Sequence, residues 1–492
     1  MAAINLTRTN IILTPDPSRV LLRSFVPGDE QRMRSIATRI LAIPEHHVSA
    51  LLDQVTEEFA RRHQGLRKLF AERFEHVREF FPPEAAISEA RSLLIGAYFL
   101  AEYSVESAAL FNPSLVPDPD QSDVPAGALR FVLSLRATGE GHISSITFRT
   151  GIIHADHRIE IVTPTGLLTE PRQIPNPAYE KGLYARKLRE MGWACDFADR
   201  VMQPLGETFA LQELRLSLDR ELDEQRQSDM LHDHTNTATE MWALARSNYE
   251  VQFQPGQQLS ERILFPATPS QRNGIEDARF VCFDHGDGRR VYYATFTAFD
   301  GKAVVPELVE TTDFLRFRFL TLNGPAAKNK GLALFPRKVN GRYAMLGRQD
   351  NESLSIMFSD NPHFWDEHAA LLQPAFPWEL IQLGNCGSPI ETAAGWLVLS
   401  HGVGPMRKYC IGAFLLDLND PTKVIGRLRE PLLEPNQNER EGYVPNVVYT
   451  CGALLHHGTL IIPYGLADRA TGFATVPVGE VLAAMVPSDQ AL

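Results

Sequence analysis

The sequence predicts a mainly β protein with helical additions, and three observations carry that prediction. Between residue 248 and residue 477, short β-rich runs recur at 291–298, 342–348, 395–401, 411–418 and 459–465, with Gly, Asn, Asp or Pro between them. That stretch has no helix long enough for a βαβ crossover, so its strands must pair as antiparallel neighbours. Upstream, apolar residues recur at helical spacing near 28–80 and again in 177–226. Recurring hairpins without crossovers suit a closed all-β assembly such as a propeller, with a sandwich or a large barrel as alternatives.

In chain order, Met33, Ile36, Ile40 and Leu41 mark a first helix over 29–42. A helical repeat then runs over 47–81, stopped by Pro82-Pro83. Residues 84–110 read as helical again, and 112–125, rich in Pro and Asp, reads as a linker. Alternation at 128–135, 142–149 and 151–162 marks antiparallel strands. A second helical block follows, seen in 179–191 and 208–222, before strands resume near Asn248. The expected organisation is a helical N-terminal region, 1–120, and a β domain, 121–492, with a helical insertion near 177–240. The N-terminal helices carry apolar stripes that need cover, from the β domain or from another subunit in a homo-oligomer.

The formal charge of −12 and the sequence pI near 5.7 argue against a nucleic-acid surface, while leaving room for a local basic pocket. Cys195, Cys282, Cys386, Cys410 and Cys451 form no CxxC pair, which predicts reduced thiols and a cytoplasmic location. No secretory leader and no apolar run long enough to span a membrane is expected. His232 and His234 lack a third ligand at recognisable spacing, no phosphate loop or dinucleotide fingerprint occurs, and no metal or organic cofactor is expected.

The densest chemistry lies in Gly274-Ile275-Glu276-Asp277-Ala278-Arg279-Phe280. Adjacent carboxylates serve proton transfer or sugar hydroxyls, and the arginine holds a carboxylate ionised or binds an anion. Further polar residues end several strands: Thr295, Thr297 and Asp300; Lys328, Asn329 and Lys330; Arg348, Asp350 and Asn351; and His401. If the strand sets converge, these ends converge too. Carboxylates, amides and arginines with an aromatic face such as Trp396 or Tyr464 form the pattern of a carbohydrate site. His142, with Ser144 and Ser145, stands at a strand start near the same chemistry.

The segment 274–280, together with Tyr292-Tyr293-Ala294-Thr295-Phe296-Thr297-Ala298, Lys328-Asn329-Lys330, Leu334-Phe335-Pro336, Gly395-Trp396-Leu397, His401-Gly402-Val403, Pro445-Asn446-Val447-Val448 and Cys451-Gly452, resembles glycoside hydrolase family 130. The resemblance covers roughly 245–485. It implies a five-bladed β-propeller acting on β-mannosides with inversion, mostly by phosphorolysis to α-mannose 1-phosphate, with inorganic phosphate as co-substrate. It implies Asp277 as general acid, working through a hydroxyl of the bound mannose. Glu276, Arg279, Thr297, Asp300, Asn329, Asp350, His401 and Asp468 fall among the implied substrate-binding residues, and Lys330, Arg348 and Tyr409 at phosphate-binding positions.

Two residues depart from the pattern, the lesser being Lys330, which stands where arginine is usual. Glu391 stands where phosphorylases carry lysine, so it is the candidate base for an inverting β-mannosidase that activates water. A salt bridge to Lys408, Arg407 or Arg348 is its alternative fate, and Glu439 and Glu441 are further candidates for the base. Phosphorolysis is the first expectation, hydrolysis the second, and a non-catalytic sugar-binding propeller the third.

Overall fold

A computed structural model of the chain describes residues 4–83, 85–174, 178–224, 231–299, 301 and 304–487. Strand outweighs helix, at 37% against 26%, so the protein is mainly β as its alternation predicts. Five largely antiparallel sets carry most of the described strands, apart from the short pairs Val20–Ser24 with Leu100–Ser104 and Ala178–Glu180 with Thr208–Ala210. The second and third of these sets join in one sheet, where Gly274 pairs parallel with Ser144. The first joins the two ends of the chain, because Thr7–Leu13 pairs with Ala470–Pro477, which continues through Thr459–Leu466 to Val448–Tyr449. The second runs Ala109–Pro117, Leu129–Thr138 and Ser144–Ile153. The third runs Gly274–Asp284, Arg290–Phe299, Val304–Thr311, Arg316–Thr321 and Tyr249–Gln252. The fourth runs Ala333–Leu334, Tyr343–Gly347, Leu354–Ser359 and Ala369–Leu372, and the fifth Gln382–Asn385, Gly395–Val403, Tyr409–Leu416 and Val424–Arg427.

Apolar clusters join each set to the next in cyclic order. Leu110, Leu133, Ile461 and Phe473 join the first set to the second, and Phe148, Phe280 and Phe317 the second to the third. Val281, Tyr293, Leu334 and Met345 join the third to the fourth, and Leu346, Ile356, Leu383 and Val398 the fourth to the fifth. Leu399, Ile411, Leu460 and Ile462 return from the fifth to the first. Burial of apolar surface on both faces of each set explains why Trp365 and Trp396 are wholly inaccessible.

The N-terminal helices are Glu30–Leu41, Glu45–Phe59, Leu66–Val77 and Glu89–Tyr98. Asp29 caps the first, its side chain accepting from the Arg32 amide, and Ser88 caps the fourth in the same way from Arg91. The continuous repeat expected over 47–81 is broken by a turn over 60–65, which closes on Gly65 at a φ of 65° before the next helix starts at Leu66. Gly96 lets the fourth helix touch the third, since a Cβ there would meet the Phe70 carbonyl oxygen at 1.9 Å. The insertion forms Lys181–Glu190, Asp196–Met202, Leu211–Glu224 and Leu231–Ser247 around their own core of Tyr184, Phe197, Leu214 and Met241.

Two readings of 84–125 are corrected. Helix ends at Tyr98, and Ala109–Pro117 is a buried strand where composition reads a helix end and then a linker. The register of this strand against Leu129–Thr138 shifts between Phe111 and Ser114, so Pro113 sits at an irregularity where its missing N–H costs no ladder bond.

Candidate active site

Glu276 and Asp277 owe their shared direction to a bulge. In a regular strand, adjacent side chains point to opposite faces. Here the pairing of Gly274–Asp284 with Arg290–Phe299 slips between Glu276 and Arg279, and Asp277 takes a φ of 56°. The extra residue turns both carboxylates toward one guanidinium. Arg136, from Leu129–Thr138, reaches Glu276 Oε1 at 2.8 Å and Asp277 Oδ1 at 3.2 Å, and its Nε donates to Ser144 Oγ at 2.9 Å. Asn112 Nδ2 donates to the same Asp277 oxygen at 2.7 Å, and Lys330 Nζ binds Glu276 Oε2 at 2.8 Å.

A cavity of about 230 Å³ opens beside Asp277, lined by Asn112, Arg136, Arg279, Lys330, Arg348, Gln382, His401, Arg407, Tyr409, Val447, Tyr449 and Asp468. Asn112, Asp277, Arg407 and Asp468 in its wall all hold positive φ without being glycine. Backbone held in such sparsely populated regions clusters at functional sites. Arg279 donates to the Tyr449 hydroxyl at 2.6 Å and to the Asp277 carbonyl at 3.2 Å. Gln382, with its amide oxygen turned inward, accepts from Arg348.

Charge in this wall is unbalanced. Arg136, Arg279, Lys330, Arg348 and Arg407 face Asp277, Asp468 and the adjoining Glu276. Burial alone would favour a neutral Asp277, but Arg136, Arg279 and Lys330, with the Asn112 hydrogen bond, hold its carboxyl below the usual range. Asp468 moves the other way: burial, then the charge of Asp277, push it up to about 6 against the pull of Arg136 and Arg407. Burial, then Arg348 and Arg279, push His401 well below its ordinary value, so the neutral ring accepts at Nε2 from Arg348 at 3.0 Å. The pocket thus offers an ionised acid, a second carboxyl poised near neutrality and more cations than anions.

Of the residues the sequence nominates, Asp277, Arg279, Lys330, Arg348, His401, Tyr409 and Asp468 line this cavity, with Glu276 bonded to its wall. Thr297 pairs with Glu276 but is buried within the sheet. Asn329 donates to the Gln349 carbonyl, and Asp350 accepts from the amides of Glu352 and Ser353, so both serve their own turns. Asp300 lies outside the described residues.

Glu391 does not join the pocket, which removes the candidate base from the reacting centre. It pairs opposite Trp396 at the start of Gly395–Val403, whereas His401 pairs opposite Gly384 near the other end. Five residues of strand separate the two ends by roughly 16 Å. Its partner is Arg337, at 2.6 and 2.7 Å, rather than Lys408, Arg407 or Arg348. Glu439 is held by Arg8 and Tyr464, and Glu441 is exposed. Trp396 and Tyr464 are buried at 0% and 2% exposure, so neither offers a face to a sugar. Among the described residues no group of metal-ligating side chains gathers.

Asn112, Arg136, Gln382, Arg407 and Tyr449 escaped the sequence reading. The available signals were a polar Asn112-Pro113-Ser114 inside an apolar run and a lone arginine ending an apolar strand.

The chain is similar to several known proteins. The profile of glycoside hydrolase family 130, described as beta-1,4-mannooligosaccharide phosphorylase, matches residues 233–486. A 1,2-beta-oligomannan phosphorylase of Thermoanaerobacter sp. (strain X514) is 36% identical over 231 residues, covering 45% of this chain and 75% of that relative. A beta-1,2-mannobiose phosphorylase of Listeria innocua serovar 6a is 36% identical over 227 residues, 44% of this chain and 62% of that relative. A solved complex of beta-1,2-mannobiose phosphorylase from Listeria innocua with beta-1,2-mannobiose aligns at 23% identity and a TM-score of 0.46, over 78% of this chain and 92% of that one. With its profile matched over more than half of the residues and its bulged Glu276-Asp277 pair at a cationic pocket, the chain belongs to glycoside hydrolase family 130.

Proposed function

We propose that this protein cleaves β-linked manno-oligosaccharides by phosphorolysis, with inversion, releasing α-mannose 1-phosphate. The observation that carries the reading is a buried Asp277 ringed by an excess of cations. A phosphate oxygen attacks the anomeric carbon, the glycosidic C–O bond breaks, and the proton of the Asp277 carboxyl passes to the leaving oxygen, through a mannose hydroxyl as the family resemblance implies. Phosphate needs no base to deprotonate it, so one acid suffices, whereas inverting hydrolysis needs a second carboxylate across the sugar.

The low proton affinity of Asp277 among these cations fits this scheme. Two of the cations that hold it ionised, Arg279 and Lys330, are also ones a phosphate dianion would engage, and their neutralisation raises the Asp277 proton affinity as the nucleophile arrives. Arg348, Arg279, Tyr409 and Lys330 are the proposed phosphate ligands. Asp468, His401 and Glu276 with Arg136 are the proposed partners of the mannose hydroxyls. The cyclic packing of five strand sets, with Thr7–Leu13 completing the last, supports a five-bladed β-propeller. In that architecture the helical part of 1–120 narrows to Glu30–Tyr98, because Thr7–Leu13 and Ala109–Pro117 contribute strands to the propeller of 121–492.

The test is to incubate the protein with β-1,2- and β-1,4-mannobiose, with and without inorganic phosphate. The expected result is consumption that requires phosphate and yields mannose 1-phosphate. Equal release of free mannose without phosphate would overturn the phosphorylase reading.

A further inference from the structure

A sugar chain needs more than the pocket that holds the mannose at the cleaved bond, and the buried Trp396 and Tyr464 supply no stacking face. One exposed aromatic stands beside the pocket. Tyr443 is 57% exposed, and the residues on either side of it are fixed to the pocket wall. The Val444 amide donates to the Ala467 carbonyl at 3.0 Å, and a Cβ at Gly442 would lie 2.6 Å from that of Ala467. The next residue, Asp468, lines the cavity, as does Val447.

A second aromatic meets Tyr443 from across the rim. The His142 and Tyr443 rings lie 5.7 Å apart, tilted by 32°, and the Tyr443 hydroxyl and His142 Nδ1 are 3.3 Å apart. His142 holds a φ of 61° and precedes by two residues Ser144, which accepts from Arg136, the arginine that binds Asp277. The pair therefore bridges two loops beside the acid, one leading to Ser144 and the other leading to Val447 and packed on Ala467, the neighbour of Asp468.

The loop bearing Tyr443 is held before any ligand arrives. Asn436 and Glu439 form a reciprocal cap, Arg8 and Tyr464 bind Glu439, and Arg440 Nε donates to Asn446 Oδ1 at 2.7 Å. A rigid aromatic with one face open gives apolar contact to the C–H face of a pyranose at small entropic cost.

We infer that Tyr443, braced by His142, is the platform on which the sugar beyond the cleaved bond stacks, which makes it a specificity-determining residue for the leaving group. The inference rests on the phosphorylase reading for its kinetic consequence and on sugar binding alone for its physical one. The test pairs steady-state kinetics with calorimetry of β-1,2- and β-1,4-mannobiose on the Asp277→Asn protein, with and without Tyr443→Ala. Tyr443→Ala is expected to raise KM for the mannoside by roughly 5- to 10-fold without moving KM for phosphate, to weaken mannobiose binding by the same factor, and to be rescued by Tyr443→Phe. Unchanged KM and affinity in Tyr443→Ala, or failure of Tyr443→Phe to rescue, would overturn it. If wild-type turnover proves independent of phosphate while the affinity still falls, the phosphorylase reading fails and the platform stands. Absence of any mannobiose binding or turnover by the wild type would overturn both.

Discussion

The same strands line two cavities of opposite character. Ala109–Pro117 gives Asn112 to one and Leu115, Val116 and Pro117 to the other, and Gly274–Asp284 divides in the same way, with Asp277 and Arg279 in one and Phe280, Val281, Cys282 and Asp284 in the other. The second cavity is larger, about 740 Å³ against about 230 Å³, and is lined mainly by apolar residues, with Asp284, His285, Arg290, Arg337, Lys338 and Glu391 among them. The smaller one gathers buried ionic groups in strained backbone. Size marks where strand sets diverge; convergence of desolvated charge marks where chemistry happens.

The largest expected effect falls on the acid of the small cavity. Asp277→Asn keeps the shape and removes the proton, so kcat should fall by roughly 10²- to 10⁴-fold, measured as release of mannose 1-phosphate. Retained turnover would move the chemistry away from this cavity. Next comes Arg136, which the fold alone brings to the site. Arg136→Ala leaves Glu276 and Asp277 without their shared partner and should lower kcat/KM by roughly 10- to 100-fold, as expected for losing charge-assisted bonds. A loss below twofold would reduce Arg136 to scaffolding.

A third prediction concerns pH and the unliganded protein. Asp468 is pushed up to about 6, above its value near 4 in an unfolded chain. A carboxyl whose folded value is raised contributes stability that is full below the unfolded value and is lost as pH rises through the folded one. Asp468→Asn should therefore melt above the wild type at pH 7 to 8, with the gap closing as pH falls from about 6 toward 4. A gap that does not change with pH would contradict the placement of Asp468 beside Asp277.

The smallest effect is expected in the large cavity. The Arg337–Glu391 pair is about two-fifths exposed on both sides, and such pairs contribute about 0–1 kcal/mol. Glu391→Gln should change kcat/KM by less than about twofold. A collapse of activity in that variant would return Glu391 to the role of base.

Several of these residues were legible in the sequence because the chemistry of the bulged segment is local. Glu276, Asp277 and Arg279 lie within four positions, and the strand ends carrying Lys330, Arg348 and His401 follow the alternation of their own strands. What was illegible depended on which end of a strand meets the pocket. Alternation says which face a side chain takes but not which end of the sheet it occupies, and Glu391 stands at the wrong end of Gly395–Val403 for that reason. Arg136 and Asn112 were hidden differently. The segment of Asn112 holds Pro and Asp at turn frequency, and only pairing with Leu129–Thr138 turns it into a buried strand, whereas Arg136 follows the run read as a strand and meets the acid only through the fold. The helix reading over 47–81 failed at 60–65 because apolar spacing persists across a short turn that ends in a left-handed glycine.

The claim that the small cationic cavity takes the anionic nucleophile is tested most directly by calorimetric titration of inorganic phosphate into the wild type, Arg348→Ala and Glu391→Gln. Equal binding by wild type and Glu391→Gln, with binding lost in Arg348→Ala, is the predicted result. Phosphate binding that survives Arg348→Ala, or that disappears in Glu391→Gln, would contradict it.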